Sequence, residues 1–303
     1  TSLPAAKIEL QKKKERLQIV SGKYRAVFNG MSAAEFPEVP SLKEKAVSFP
    51  IEKKFEIETK AFVEAVNHVY FAAAIDETRP VLAGVRLSVN NNELQLVATD
   101  GYRLSLKKIK LEKKLDIPIL IVPARALAEV VKIIEAEGEE EKKRKLKIAI
   151  TKGGKQIIFA FADIEIIARL IEGEFPDFQK IIPEKGESKA LIDKEEFSRA
   201  IRASSIFARR SANIIKLKIK DKRLKISANA PEIGENEIEL EIKYKGEEIQ
   251  IAFNYRFLQD FLTSFKKETF SLELSGALKP GLFKEEKDPS FLHVIMPVRI
   301  QEQ

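Results

Sequence analysis

The chain has 303 residues, 44% of them hydrophobic and 33% charged, with a net charge of +7, two histidines and no cysteine. That length can build two or three domains, each with its own core. Without cysteine there is neither a disulfide framework nor a thiolate metal site, and His68 and His293 lie too far apart for metal-ligand spacing.

No apolar run is long enough to span a bilayer and no secretory signal is visible, so the expected place is the cytoplasm. A pI near 9.2 favours a polyanionic partner. Lysines such as Lys216, Lys218, Lys220 and Lys225 are explained as well by a solvated sheet face.

The chain repeats itself. Residues 7–28 line up with 147–168 at an offset of 140, placing Lys7 on Lys147, Leu17 on Ile157 and Ile19 on Phe159. Residues 1–49 therefore read as the back half of a module whose front half lies outside this sequence. Next, Thr59 is a candidate N-cap for a helix carrying Phe62, Val66, Val69 and Tyr70 on one face. Leu87 and Val89, then Leu94, Leu96 and Ala98, alternate around an Asn90-Asn91-Asn92 turn and predict a hairpin.

Pro123 suits a first helical turn, with Leu127, Val130, Val131 and Ile134 as its buried stripe. The charged run 137–145 has no apolar face and reads as a flexible loop, and Gly153-Gly154 as a hairpin turn. A third helix begins at Asp193 with Glu196 three residues on, a capping-box pattern. Strands are predicted in 214–228 and 237–243, and a fourth helix from Asn254. Leu87, Val89, Leu94, Leu96 and Ala98 fall on Leu217, Ile219, Leu224, Ile226 and Ala228 at a constant offset of 130, a second repeat. The reading is one partial and two complete copies of an α+β module, each complete copy packing two helices on antiparallel sheets.

Between Thr99 and Leu104 turn formers are followed by Tyr102, Arg103 and Leu104. By spacing alone this is either a solvated hairpin end or a loop equipped to hold a partly apolar ligand. Here a family resemblance enters. ETRPVLAGVRL followed by ELQLVATDGYRL resembles the second domain of the bacterial DNA polymerase III β subunits, the sliding clamps. EGEFPDFQKIIP at 172–183 resembles their link between second and third domains, and His293 to Ile300 their C-terminal tail. The basic balance departs from the family's usual acidic one, so charge does not support the match. The resemblance implies a partial first clamp domain at 1–49, a second at 50–182 and a third at 183–303, forming part of a ring.

It also implies a homodimeric, non-catalytic processivity factor without cofactors. Its partners would be double-stranded DNA, bound without sequence reading, and the DNA polymerase III α subunit, the clamp loader and other proteins carrying clamp-binding motifs. These would dock in a peptide groove. Carried over by position, the groove takes Leu82, Thr99, Gly101, Tyr102, Arg103 and Leu104 as one wall, with Pro176, Lys180 and Ile181 from the link. Asn254, Phe257, Leu278 and Pro280 follow, and the tail adds Val294, Ile295, Met296, Pro297, Val298 and Arg299. The arginines would fix orientation at its rim. Phe257 stands where the family often has tyrosine, and Lys180 where arginine is common.

DNA-contact candidates are Arg79, Arg125, Arg202, Arg209 and Arg210; the dimer contact would pair Ile206 and Phe207 with the strand holding Arg25, Val27 and Phe28. Two other readings compete: a basic DNA-binding protein that closes no ring, and a hydrolase built from scattered acids. Two histidines and no cysteine leave nucleophile and base chemistry thin.

Overall fold

The computed structural model describes residues 7–36, 39–42, 50–76, 78–183 and 186–299. The chain divides into two compact units, 1–48 and 49–303. The smaller unit is a three-stranded antiparallel sheet of β1 (Glu9–Lys13), β2 (Arg16–Ser21) and β3 (Tyr24–Asn29). Its apolar side chains lie open: Leu10, Val27 and Phe28 are all at least half exposed.

The larger unit holds two runs of elements in one order. The first is β4 (Ile51–Glu58), α1 (Thr59–Val69), β5 (Gly84–Asn90), β6 (Glu93–Thr99), β7 (Arg103–Lys110), β8 (Leu120–Pro123), α2 (Ala124–Ala136), β9 (Lys145–Thr151), β10 (Gln156–Phe161) and β11 (Ile164–Arg169). The second is β12 (Ser188–Asp193), α3 (Lys194–Ala208), β13 (Ile214–Lys220), β14 (Arg223–Ala230), β15 (Gly234–Glu241), a short β16 (Lys243–Lys245), β17 (Ile249–Asn254), α4 (Tyr255–Ser264), β18 (Thr269–Leu274), β19 (Gly281–Lys284) and β20 (Phe291–Ile295). Apart from β16 the two runs match element for element. The strands also meet the sequence offsets: β2 and β3 shifted by 140 coincide with β10 and β11, and β5 shifted by 130 coincides with β13.

Each run encloses one core. In the first, Phe62, Val66 and Val69 of α1 and Leu127, Val130 and Ile134 of α2 meet Leu87, Leu94, Ile148 and Phe159 from the strands. In the second, Phe197 and Ile201 of α3 and Leu258, Phe261 and Leu262 of α4 do the same against Leu217, Ile226, Phe253 and Phe283. Burying one such side chain stabilises by roughly 1.5–3 kcal/mol, so the helical stripes read from sequence are core stripes, except that Tyr70, expected on the α1 face, lies beyond the helix in a 3₁₀ turn and is exposed.

Three local expectations change. Thr59 is the first helical residue rather than the cap; its hydroxyl donates to the Arg144 carbonyl, and Glu58 precedes the helix without capping it. Pro123 stands one place before α2. The 137–145 run is ordered into a 3₁₀ turn at Glu141–Lys143 and the start of β9. Asp193 and Asn254 do cap: their side-chain oxygens accept from Glu196 N at 2.9 Å and Arg256 N at 3.0 Å. The β5–β6 turn needs positive φ at Asn91 (48°) and Asn92 (61°), which asparagine tolerates better than other side chains.

The two runs are welded by one sheet. Its order is β16-β12-β18-β19-β20-β7-β6-β5-β8, nine strands crossing from one run to the other between β20 and β7. Two four-stranded sheets, β11-β10-β9-β4 and β15-β14-β13-β17, complete the unit.

Candidate functional site

The β7–β20 seam sets the site. Its register places Leu104 opposite Val294, Ser105 opposite His293 and Lys107 opposite Phe291. Because side chains alternate along a strand, Arg103, Ser105 and Lys107 share one face while Leu104 and Leu106 share the other.

The first face is polar, buried and paired. Arg103 Nε lies 3.0 Å from Asp100 Oδ2, and its guanidinium also pairs with Asp260 of α4. The same guanidinium stands 4.6 Å from the Phe257 ring centre and 5.6 Å from that of Phe71. Ser105 Oγ and His293 Nδ1 are 2.6 Å apart. Burial, with Arg103's charge adding to it, pushes wholly buried His293 down to about 3, so it is neutral. Lys107 Nζ reaches Glu64 Oε1 of α1 at 2.9 Å and Asp288 Oδ2 at 2.8 Å. Burial opposes the charge on both Lys107 and Asp288. Burial is the largest single influence on each, but the partners together outweigh it: Asp288 and Glu64 raise the lysine, and Lys107 with Ser290 holds the acid down to about 2.

The other face is apolar. Leu104, Leu106, Val97, Leu282 and Val294 form a cluster sealed by Phe178 of the link, with Phe175 and Ile182 alongside. This brings the link onto the seam. Pro176 and Lys180 stay exposed beside it, with Lys180 paired to Asp177 at 3.0 Å, and Ile181 is half-buried.

The turn before β7 is locked. Asp100 Oδ1 accepts from Tyr102 N at 2.9 Å and Arg103 N at 3.0 Å. Thr99 Oγ1 donates to Arg103 O at 2.7 Å and accepts from Gly101 N at 3.1 Å. Gly101 adopts φ +92°, a conformation that favours glycine. Tyr102 is thereby held outward, 66% exposed, and its carbonyl accepts from Met296 N at 2.8 Å. Beside it opens a cavity of about 510 Å³ lined by Ile75, Arg79, Leu82, Tyr102, Phe257 and Asp260, among others.

Of the expected groove, this cavity gathers Leu82, Tyr102, Arg103 and Phe257. Met296 is 37% exposed next to Tyr102, and Pro297 and Val298 follow half-buried, Val298 N donating to Ala252 O at 2.8 Å. Thr99, Leu104, Val294 and Ile295 are buried and shape the wall from behind rather than offering surface. Asn254 caps α4; Leu278 is exposed and Pro280 half-buried between β18 and β19, and Arg299 is exposed. Arg103 corrects the expectation of a rim arginine. It is buried and saturated by two carboxylates, so it builds the wall. Ile75, Arg256 and Asp260 line the cavity without having been singled out; their approach depends on pairings across some 180 residues that no local pattern reveals.

Arg79, expected on DNA, lines this same cavity. Arg125 is exposed in the first turn of α2, Arg202 on α3, and Arg209 and Arg210 just after it. Ile206 is exposed and Phe207 half-buried against the second core; Arg25, Val27 and Phe28 lie open along β3. Among the described residues no cluster of three or more His, Asp or Glu groups could hold a metal ion.

The architecture is that of the clamp proteins, modules joined sheet to sheet around a repeated two-helix core. The family descriptions agree: residues 56–177 match the DNA polymerase III β subunit central domain and 179–299 its C-terminal domain. The Beta sliding clamp of Staphylococcus aureus is 31% identical over 300 residues, covering 98% of this chain and 76% of that protein. The solved DNA polymerase sliding clamp of Bacillus subtilis superposes with a TM-score of 0.84 at 30% identity, covering 99% of this chain and 77% of that one. A Pseudomonas aeruginosa sliding clamp solved bound to griselimycin gives 0.81 at 26% identity, covering 97% and 76%. The chain belongs to the DNA polymerase III β subunit family, the β sliding clamps.

Proposed function

We propose that this chain works as a DNA sliding clamp, a non-catalytic processivity factor. It tethers the polymerase on duplex DNA as part of a ring and recruits partners through the Tyr102–Met296 groove. Tethering replaces repeated bimolecular capture with a high effective concentration at the primer end. The holoenzyme's polymerase activity would belong to the α subunit, and the site of action is the cytoplasm. The described residues include no helix long and apolar enough to cross a membrane.

One observation carries the ring. The seam pairs β7, third strand after a module's first helix, with β20, the last strand of the next module. Among the described residues their counterparts β15 and β3 both lie at sheet edges. An open edge offers unpaired backbone groups to another strand. By analogy with the closed seam, β3 of one copy would pair with β15 of a second. The end of α3 lies close by, Ser204 Oγ accepting from Asn236 Nδ2 of β15 at 3.0 Å. That supports Ile206 and Phe207 at the same joint. Residues 1–49 would be the back half of a first clamp domain. DNA would be held electrostatically, through Arg125, Arg202, Arg209 and Arg210, without base reading.

Light scattering over a concentration series tests the joint. Twice the 34.3 kDa chain mass is expected; a single-chain mass throughout, in a folded sample, overturns ring closure by this chain. For the groove, Tyr102→Ala and Met296→Ala should each weaken a short peptide with an aromatic or leucine anchor at least tenfold. Unchanged affinity in both variants would remove the groove assignment.

A further inference from the structure

The two modules differ at one edge. In 188–295, β12 is covered by β16: Lys189 faces Lys245, Ala190 faces Tyr244 and Leu191 faces Lys243. Tyr244 packs on the core there. In 51–169 the strand before the first helix is β4, and among the described residues it pairs with β9 alone. Counted back from the helix starts at Thr59 and Lys194, Lys54, Phe55 and Glu56 hold the places of Lys189, Ala190 and Leu191. The chain after β7, which corresponds to the β16 segment, runs past without forming a strand.

In place of that strand lies a cavity of about 450 Å³. Its floor is apolar, made by Phe55, Ile57, Ile109, Leu111 and Leu115. Its rim carries five lysines, Lys54, Lys110, Lys113, Lys114 and Lys145, against Glu56, Glu58 and Glu112. Lys145 takes up two of the acids, Glu58 at 3.1 Å and Glu112 at 2.8 Å. Four lysines are left facing one glutamate.

We propose that β4 and this cavity dock an extended segment of another protein, one that alternates apolar and acidic residues. Its backbone extends the sheet as a strand beyond β4, in the place β16 takes on β12. Its apolar side chains enter the floor, and its carboxylates meet Lys54, Lys110, Lys113 and Lys114. The three features together select a peptide. A phosphate polymer would use the lysines but neither the apolar floor nor the row of backbone donors and acceptors. The site shares no residue with the cavity at Tyr102 and Phe257.

The test uses a fluorescein-labelled peptide Glu-Val-Glu-Leu-Glu-Val-Glu and a second in which lysine replaces every glutamate. Anisotropy should show saturable binding of the acidic peptide. Binding at least tenfold weaker is expected for the lysine peptide, and for the acidic peptide on the Lys113→Glu/Lys114→Glu variant. Amide exchange in intact protein should slow at residues 54–57 when the acidic peptide is added. No saturable binding, equal binding of both peptides, or slowing only outside β4 would overturn the proposal. So would β4 amides already as protected as those of β12 in the free protein, since the edge would then be covered by this chain or a second copy.

Discussion

The β7–β20 seam is a closed strand pair, whereas its counterparts β15 and β3, proposed to join across two copies, are open edges among the described residues. In the closed seam Arg103, Ser105 and Lys107 find Asp260, His293 and Asp288 on one face, while Leu104 and Val294 meet under Phe178 on the other. In the proposed joint, β15 presents Glu235, Glu237, Glu239 and Glu241, and β3 presents Tyr24, Val27 and Phe28, all exposed in the single chain. The difference teaches that the closed joint is set by two-faced strands, not by backbone pairing alone. One face supplies area and the other supplies register through buried polar partners that only one alignment satisfies.

Breaking the closed joint should give the largest effect. Val294→Asp places an unpaired carboxylate among Leu104, Leu282 and Phe178. Loss of stability on the order of 4 kcal/mol is expected, from apolar contact removed and a charge buried without a partner. Urea unfolding measures it; a loss below about 1 kcal/mol would mean the cluster is not the packed weld described. Truncating the chain before Val294 would likewise cut β20 itself, so the tail's groove role is better tested with Met296→Ala.

Opening the second joint should cost less. Phe28 is 56% exposed in one chain and would be covered only in the dimer. Phe28→Asp should weaken dimerisation by about 2 kcal/mol, roughly thirtyfold in Kd, without changing urea stability of the larger unit. An unchanged dissociation constant from sedimentation would move the joint away from β3.

The closed seam also makes a pH prediction. His293, ordinarily near 6.5, is held to about 3 in the fold. Between those values the unfolded chain binds a proton there that the folded chain does not. The contribution to stability is therefore complete above about 6.5 and is lost as pH falls toward 3, with a slope of up to about 1.4 kcal/mol per unit. His293→Gln, compared with the parent in urea at several pH values from 7 to 4, should flatten the dependence by nearly one proton. Equal slopes would mean that His293 is protonated in the fold.

How much of this could be read in the sequence depended on distance along the chain. The repeats were legible because apolar positions in strands keep one register, as Leu87 and Leu217 do. Asp193 and Asn254 were legible because a cap and the amide it holds are two or three residues apart. Thr59 was not, since its hydroxyl turns to Arg144, 85 residues on. Arg103 looked like a rim residue because Asp260, which buries its charge, lies 157 residues away. The open edge of β15 could not be seen either, because an edge is defined by a strand that is missing.

Charge should give the smallest effect on the open joint. Arg25 is exposed on β3, and β15 would bring four glutamates to it. Two of those, Glu237 and Glu239, already pair with Lys225 at 2.7 Å and Arg223 at 3.0 Å on their own sheet. Arg25 therefore adds to a field that is partly neutralised, and exposed pairs contribute less than about 1 kcal/mol. Arg25→Glu is expected to weaken the dimer a few-fold at low salt and to match the parent at 1 M salt, where the screening length falls to about 3 Å. Sedimentation at both ionic strengths separates this from Phe28→Asp, whose defect should persist in salt. A large loss for Arg25→Glu that survives 1 M salt would mean that β3 meets its partner through a desolvated ion pair, and the second joint would then resemble the polar face of the first.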